Sequence, residues 1–338
     1  MSTNEIQQPS TTGAAGGGAY DVVIVGGGAA GLSAALVLGR ARRRVAVVDA
    51  GQPRHRPAAH MQGFLGSDGL PPAEFIARGR AEVASYGVEL VAGTVTAVVP
   101  SGITSTSAHR RFQVTLSDGS VLGTRAVLVT TGLRDEVPDV PGVRELWGRA
   151  LLHCPYCHGY EVADQPIGIL AGDPATTAES LAHAHIIRQW SDDVVFFANG
   201  AALTAGQREQ LVARAIGIVD EPVVSLAAED DHITGVVIDG GRIVPRTAVF
   251  VRPRFVPHDT LLVDLGCRVR DTGWVHVDDT GATTVPGVWA AGNATNPRAQ
   301  VITAAGEGSA AAIAINNSLV DEDRSSAVTS FRLGLPTS

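Results

Sequence analysis

Tyr20-Asp21-Val22-Val23-Ile24-Val25-Gly26-Gly27-Gly28-Ala29-Ala30-Gly31 runs into a stretch of helical spacing, Leu32 to Arg42, and then into Val45-Ala46-Val47-Val48-Asp49. The first apolar run predicts a buried strand and the glycines a tight turn at its end. Gly26 permits the sharp turn, Gly28 lets backbone approach a pyrophosphate, and Gly31 lets helix and strand pack closely. The helix N-terminus then faces the negative charge. Asp49 stands 18 residues beyond Gly31 at the end of the second strand, where a carboxylate can meet a ribose hydroxyl. A glycine motif alone could be an ordinary turn, and Asp49 alone an ordinary surface acid. Strand, loop, helix, strand and acid in this order predict a βαβ dinucleotide-binding start.

Working outward, Gly51 to Pro72 is rich in Pro, His and Arg, and a loop of that length is usually functional. A helix follows near Ala73 to Ser85. Alternation at Val88 to Val99, Arg111 to Leu116 and Ala126 to Thr130 predicts a small antiparallel insert and a return strand ending at Thr131-Gly132. Pro138, Pro141 and Gly142 mark a crossover into a second unit with another strand-turn-helix at Ile167 to Ile187. Short strands are expected near Val194 to Phe197 and Gly235 to Ile238. The chain crosses back near Val249 to Pro257, because Trp274 to Val277 and Val288 to Ala291 again have strand character. That makes the first domain discontinuous. Gly292-Asn293 then precedes an alanine-rich helix, Thr303 to Leu319, whose N-terminus could face a second cofactor phosphate or a flavin edge. From Val320 the tail is expected to fray.

The 338 residues suffice for about two domains at roughly 150 residues each. A 45% hydrophobic and 18% charged composition with 39 glycines fits a soluble α/β protein. The net charge of −8 disfavours nucleic acid and anionic membranes as partners. There is no lysine, which removes Schiff-base and phosphate-loop lysine chemistry. Residues 1 to 19 lack the basic start and apolar run of a secretory signal and read as a disordered tail. No apolar run approaches about 18 residues, so no membrane span is expected and the cytoplasm is the expected location.

Three cysteines make no disulfide scaffold, and a close pair in a reducing compartment points to redox or metal chemistry. Cys154-Pro155-Tyr156-Cys157 can close a small reversible disulfide, and His158 follows at once. Zinc on His153, Cys154, Cys157 and His158 is disfavoured, because four ligands in six residues can hardly surround one tetrahedral ion. No metal is expected. His158 could be purely structural, and for His153 that plainer role is preferred. Tyr156 and Tyr160 could simply pack. Cys267, 110 positions beyond Cys157, reads as a buried or half-exposed small side chain without chemistry.

Gly26 to Gly31, Asp49, Thr131-Gly132, the cysteine pair and the run Thr280-Gly281 to Pro286-Gly287-Val288-Trp289-Ala290-Ala291-Gly292 together resemble the low-molecular-weight thioredoxin reductases. The resemblance covers about residues 20 to 320. It implies an α/β fold of two Rossmann-like domains: an FAD domain from residues 20–132 and 254–320, and a central NADPH-type domain, 133–253, carrying the cysteines. It leaves 321–338 as a tail. It also implies a homodimer. FAD contacts are expected from Gly26, Gly28, Ala29, Ala30, Gly31, Asp49, Gly51, Val95, Thr131, Gly132, Gly292, Asn293, Gln300 and Val301. Asn293 stands where the family commonly has Asp.

Two departures narrow the resemblance. The family's second glycine loop reads Leu170-Ala171-Gly172-Asp173-Pro174-Ala175-Thr176-Thr177 here, so Ala171 and Asp173 replace glycines at the expected pyrophosphate. Ala198-Asn199-Gly200 follows the next strand, with no arginine for a 2′-phosphate. No productive NADPH site is expected. Cys154 to Glu161, reading Cys-Pro-Tyr-Cys-His-Gly-Tyr-Glu, is similar to the FAD-dependent dithiol oxidases that close the disulfides of gliotoxin and, more closely, of the dithiolopyrrolone holomycin. That similarity implies a role in antibiotic biosynthesis or self-protection, a small dithiol substrate, Cys154 as the sulfur it attacks, Cys157 as the flavin-proximal sulfur, and molecular oxygen as acceptor. Where ordinary thioredoxin reductases have Asp, His158 can accept and return a thiol proton near neutral pH. A thioredoxin-type reductase with another electron donor, and a catalytically idle flavoprotein acting as a binding or resistance partner, are the alternatives.

Overall fold

The structure is a computed structural model describing residues 19–101, 111–172 and 177–334. The expected N-terminal tail, apart from residue 19, and Asp173 to Thr176 of the second loop lie outside the described residues. Two α/β sheets follow from the apolar runs, the first mixed and the second parallel throughout. The first holds seven strands: β1 (Tyr20–Val25), β2 (Val45–Asp49), β3 (Glu89–Ala92), β4 (Val95–Pro100), β5 (Phe112–Leu116), β6 (Val121–Val129) and β17 (Val288–Ala290). Its order is β3-β2-β1-β6-β5-β4, with β17 parallel to β6. The central strands are apolar at nearly every position because both faces are covered. On one face lie α1 (Ala29–Arg40) and α8 (Val301–Arg332); β4, β5 and α7 (Thr260–Asp264) contribute to the other core.

The second sheet is β11 (Ile216–Val219), β10 (Val194–Phe197), β9 (Ile167–Leu170), β15 (Ala248–Val251) and β8 (Leu151–Leu152), in that order. Helices α5 (Thr177–Ile187) and α6 (Ala205–Ala213) cover it on one side. A three-stranded meander, β12 (Val223–Glu229), β13 (His232–Ile238) and β14 (Ile243–Pro245), shares the core on the other. The chain passes out through β7 (Leu133–Glu136) and back through β16 (Arg254–Pro257), which pair antiparallel. The discontinuous α/β architecture expected from sequence is therefore present.

Helices α1 and α8 meet through small residues. A Cβ added at Gly31 would fall 1.9 Å from Gly26 O, and one at Gly308 would fall 2.0 Å from Ala30 O. Hydrogen alone fits at those positions.

Three local expectations are corrected. Val88 to Val99 is not one arm of an antiparallel insert: β3, entering from the crossover helix α2 (Pro72–Ser85), pairs parallel with β2, and only β4 to β6 form the meander. Trp274 to Val277 is no strand, because the turn at Gly273 leaves a single bridge, Val269 to Val275. The chain beyond Val320 does not fray before Arg332. Arg125, its side chain 12% exposed, pairs with Glu322 and Asp323, and Arg43 pairs with Asp323, holding α8 to the first sheet.

Candidate active site

One cavity of about 770 Å³ lies between the two sheets, and the glycine loop and the cysteine pair both open into it. Its floor is built by β1 and α1. Gly26 takes φ +107°, a conformation that favours glycine, and Thr130 Oγ1 donates to Gly26 O at 2.8 Å. An added Cβ at Gly28 would meet no atom within 4 Å, so this backbone faces open space. Gly26, Gly28, Ala29 and Ala30 line the cavity, while Gly31 lies behind them as the contact between α1 and the turn.

Asp49 also lines it. Its Oδ1 accepts from Gly27 N at 3.1 Å and its Oδ2 pairs with Arg80 at 3.3 Å. A carboxylate has about four acceptor sites, which leaves room for ribose hydroxyls. Gly51 and Val95 do not line the cavity. Gly51 turns the chain at φ +72° beside it, and Val95 is 9% exposed in the core beneath β4.

Thr131, Gly132, Gly292, Asn293, Gln300 and Val301 also line the cavity, Gly292 lying beside Ala30. Asn293 Nδ2 donates to Asn296 O and Ala299 O at 2.9 and 3.0 Å, so its amide shapes the loop before α8. Sequence reasoning missed Glu307, which bridges that loop by accepting from Gly292 N and Asn296 Nδ2 at 2.8 and 2.6 Å. It also missed Arg54, Asp135 and Phe255. Arg54 makes a bidentate pair with Asp135, at 2.8 and 2.6 Å, and stacks 5.1 Å over the Phe255 ring. The only signal was Arg54's place in the long Pro/His/Arg loop.

Cys154 and Cys157 form a disulfide, and His158 lines the cavity beside it. Pro155 begins the short helix α4 (Pro155–His158), whose turn is closed by Cys157 N and His158 N donating to Cys154 O. Gln300 Nε2 lies 3.8 Å from Cys154 Sγ. Burial holds His158 below the ordinary imidazole value, with the Glu161 carboxylate pulling the other way. A neutral imidazole at pH 7 is ready to accept a proton. His153, for which a structural role is preferred from sequence, also lines the cavity; its Nδ1 is 3.4 Å from Val251 O and its ring meets Phe255 edge-on at 5.2 Å. Tyr156 packs edge-on against Trp190 at 5.8 Å, and Cys267 is buried with its thiol 3.4 Å from Thr283 Oγ1.

At the second sheet, Ala171 is fully buried and donates its N–H to Phe197 O, as Gly26 does to Val48 O at the first. Asn199 Oδ1 accepts from Val223 N at 2.9 Å, and Ala198 to Ala201 contain no cation. The nearby Arg208 is taken by Asp220. Among the described residues no cluster suited to a metal ion occurs, and no helix is long and apolar enough to cross a membrane.

A glycine cradle, a strand-end acid and a redox disulfide on one cavity define a flavin-type disulfide oxidoreductase. The chain matches the pyridine nucleotide-disulphide oxidoreductase family over residues 20–308 and belongs to it, as a thioredoxin reductase-like oxidoreductase. Members of this family bind FAD. The crystal structure of HlmI is similar at 52% identity and a TM-score of 0.89, covering 95% of this chain and 99% of that one. That of the oxidoreductase from Agrobacterium tumefaciens is similar at 34% identity and a TM-score of 0.81, covering 89% and 99%. Thioredoxin reductase sirT of Leptosphaeria maculans is 29% identical over 299 residues, covering 85% of this chain and 90% of that protein.

Proposed function

We propose that this protein is an FAD-dependent dithiol oxidase that closes an intramolecular disulfide in a small natural product of the dithiolopyrrolone kind, passing the electrons to oxygen. One observation carries this reading: the Cys154–Cys157 disulfide opens into the cavity of the first glycine loop, while the second loop's sequence puts Ala171 and Asp173 where glycines would stand. The cavity fits FAD in chemistry and in size, within the roughly 300–1,000 Å³ usual for cofactor sites. Gly26, Gly28, Ala29 and Ala30 would hold the pyrophosphate, Asp49 a ribose, and the loop of Gly292 and Asn293 with Gln300 and Val301 the flavin side. When bound, FAD supplies a two-electron acceptor for the cysteine pair and a route to oxygen, giving hydrogen peroxide.

The chain's own residues perform the thiol chemistry. His158, neutral at pH 7, takes the proton of the incoming substrate thiol. The thiolate attacks Cys154 Sγ, the enzyme S–S bond breaks, and Cys157 leaves as a thiolate. The second substrate thiol gives its proton to the Cys157 thiolate and attacks the substrate sulfur bonded to Cys154, closing the ring and expelling Cys154 as a thiolate. The substrate is oxidised by two electrons and the cysteine pair reduced by two.

Purified yellow protein should consume oxygen with a small cyclisable dithiol in the absence of NADPH, as an oxygen electrode reads directly. The thioredoxin reductase name of the sirT relative favours a second reading, a reductase fed by a nicotinamide or another donor. Anaerobic NADPH would then bleach the flavin band rapidly, and the oxidase reading would be lost.

A further inference from the structure

The lobe of the cavity beside Cys154 contains a cation that the chemistry above does not use. Strand β15 runs parallel to β8, with Val249 beside Leu151 and Phe250 beside Leu152. Carried two residues past the ladder, that register sets Arg252 across from Cys154. Neighbouring strands lie about 4.8 Å apart, so side chains at matched positions share one neighbourhood. The His153 ring, 3.4 Å from Val251 O, ties the two segments together beyond the last ladder pair.

Arg252 is half-buried, lines the same cavity as the disulfide, and stacks 5.3 Å over Phe255. Among the described residues it makes no ion pair. Arg54, stacked on the same ring, differs in being neutralised by Asp135. Glu179 from α5 and Arg298 from the loop before α8 act on Arg252 in opposite senses without pairing with it. The neighbouring His153 and His183 carry no charge at neutral pH, burial having pushed each down to about 3. A partly desolvated guanidinium with no carboxylate in salt-bridge contact is a standing site for an anion.

We propose that Arg252 is a substrate-binding residue that holds the reacting sulfur as its thiolate against Cys154, and so selects dithiols that ionise readily. This assignment rests on the dithiol-exchange chemistry above but on neither FAD nor oxygen. In the step it serves, the substrate sulfur–Cys154 bond forms, the Cys154–Cys157 bond breaks, and the thiol proton goes to His158. Arg252 neither gains nor loses a proton.

The test uses the full-length purified protein under argon. Dithiothreitol is the thiolate probe, tris(hydroxypropyl)phosphine the neutral one, and acid-quenched mass spectrometry follows loss of the Cys154–Cys157 disulfide. Rates are taken from about pH 6 to 9, around thiol ionisation at roughly 8.5. Arg252→Met should move the midpoint of the dithiothreitol curve up by about one pH unit and slow exchange near pH 7 about tenfold. Arg252→Lys should retain most of the rate, and the phosphine rate should fall far less than the thiol rate. Arg252→Gln carries the same comparison should the Met variant not fold. An unmoved midpoint, equal losses with both reductants, or a Lys variant as slow as Met would overturn the assignment. Arg252-dependent exchange under argon, with no oxygen uptake when the same protein and dithiol are then assayed in air, would support it while rejecting the oxidase reading.

Discussion

Gln300 Nε2 stands 3.8 Å from Cys154 Sγ across 146 positions of sequence. Gln300 is the residue before the first turn of α8, yet its side chain does not cap that helix. Its amide is left to face the sulfur, which sits on the segment between β8 and α4. The contact thus joins the flavin-side helix to the cysteine that the substrate attacks.

An N–H directed at this sulfur stabilises the thiolate that must leave when the product ring closes. Hydrogen bonds to charged groups are worth about 1.5–3 kcal/mol, and about 1.4 kcal/mol corresponds to one pKa unit. In a Cys157→Ser background, Gln300→Leu should therefore raise the Cys154 pKa by about one unit. The pH dependence of iodoacetamide alkylation measures it. An unchanged alkylation midpoint would show that the amide does not act on the sulfur.

The two cysteines are distinct in position but equally needed. Each exchange step requires both a leaving thiolate and a resolving thiol, and Cys154–Cys157 is the disulfide on the cavity wall. Cys154→Ser and Cys157→Ser should each abolish dithiol-dependent oxygen uptake while the protein stays yellow. Near-normal uptake by either variant is incompatible with the exchange route.

The glycines of the first loop separate into two kinds. A Cβ at Gly28 meets nothing within 4 Å, whereas one at Gly31 meets Gly26 O at 1.9 Å and Thr130 Oγ1 at 2.8 Å. Gly28→Ala should fold with near-parental Tm but retain less flavin after gel filtration. Gly31→Ala should lose about 3 kcal/mol, the upper range for overpacking, seen as a lower denaturation midpoint or insolubility. If both variants kept both properties, the loop would not be the cofactor cradle.

These contrasts show what the sequence made legible. Strand, glycine loop, helix and Asp49 are local in the chain, so their spacing alone placed the cavity floor. The cysteine motif is equally local, and its neighbour His158 falls where the motif puts it. Arg54 meets Asp135 and Phe255, and Glu307 meets Gly292, across long separations in the chain that no periodicity encodes. The helical course beyond Val320 was hidden for a related reason. Polar residues in α8 looked like a tail until Arg43 and Arg125, nearly 200 or more positions away, supplied their partners. Val95 was assigned by resemblance, and its place in the core follows from an apolar side chain on the inner face of β4.

His183 gives the fold a built-in acid sensitivity. The residue is 4% exposed, among the described residues neither ring nitrogen makes a well-formed hydrogen bond, the His153 backbone being the one polar group acting on it, and Phe250 meets it edge-on at 6.0 Å. Burial, with His153 and Arg252 nearby, pushes its pKa down to about 3. The unfolded chain binds a proton below about 6.5 that the folded chain refuses until about 3, so the contribution is complete above 6.5 and is lost as pH falls toward 3. The loss is about 1.4 kcal/mol per pH unit, or about 2 kcal/mol between pH 6.5 and 5. His183→Phe removes the proton site and two poorly bonded polar atoms, so it should match or exceed the parent in stability at pH 7 and lose about 2 kcal/mol less on transfer to pH 5. Urea denaturation at both pH values measures the difference. Parallel losses in parent and variant would mean that His183 is already protonated, or water-exposed, in the folded protein.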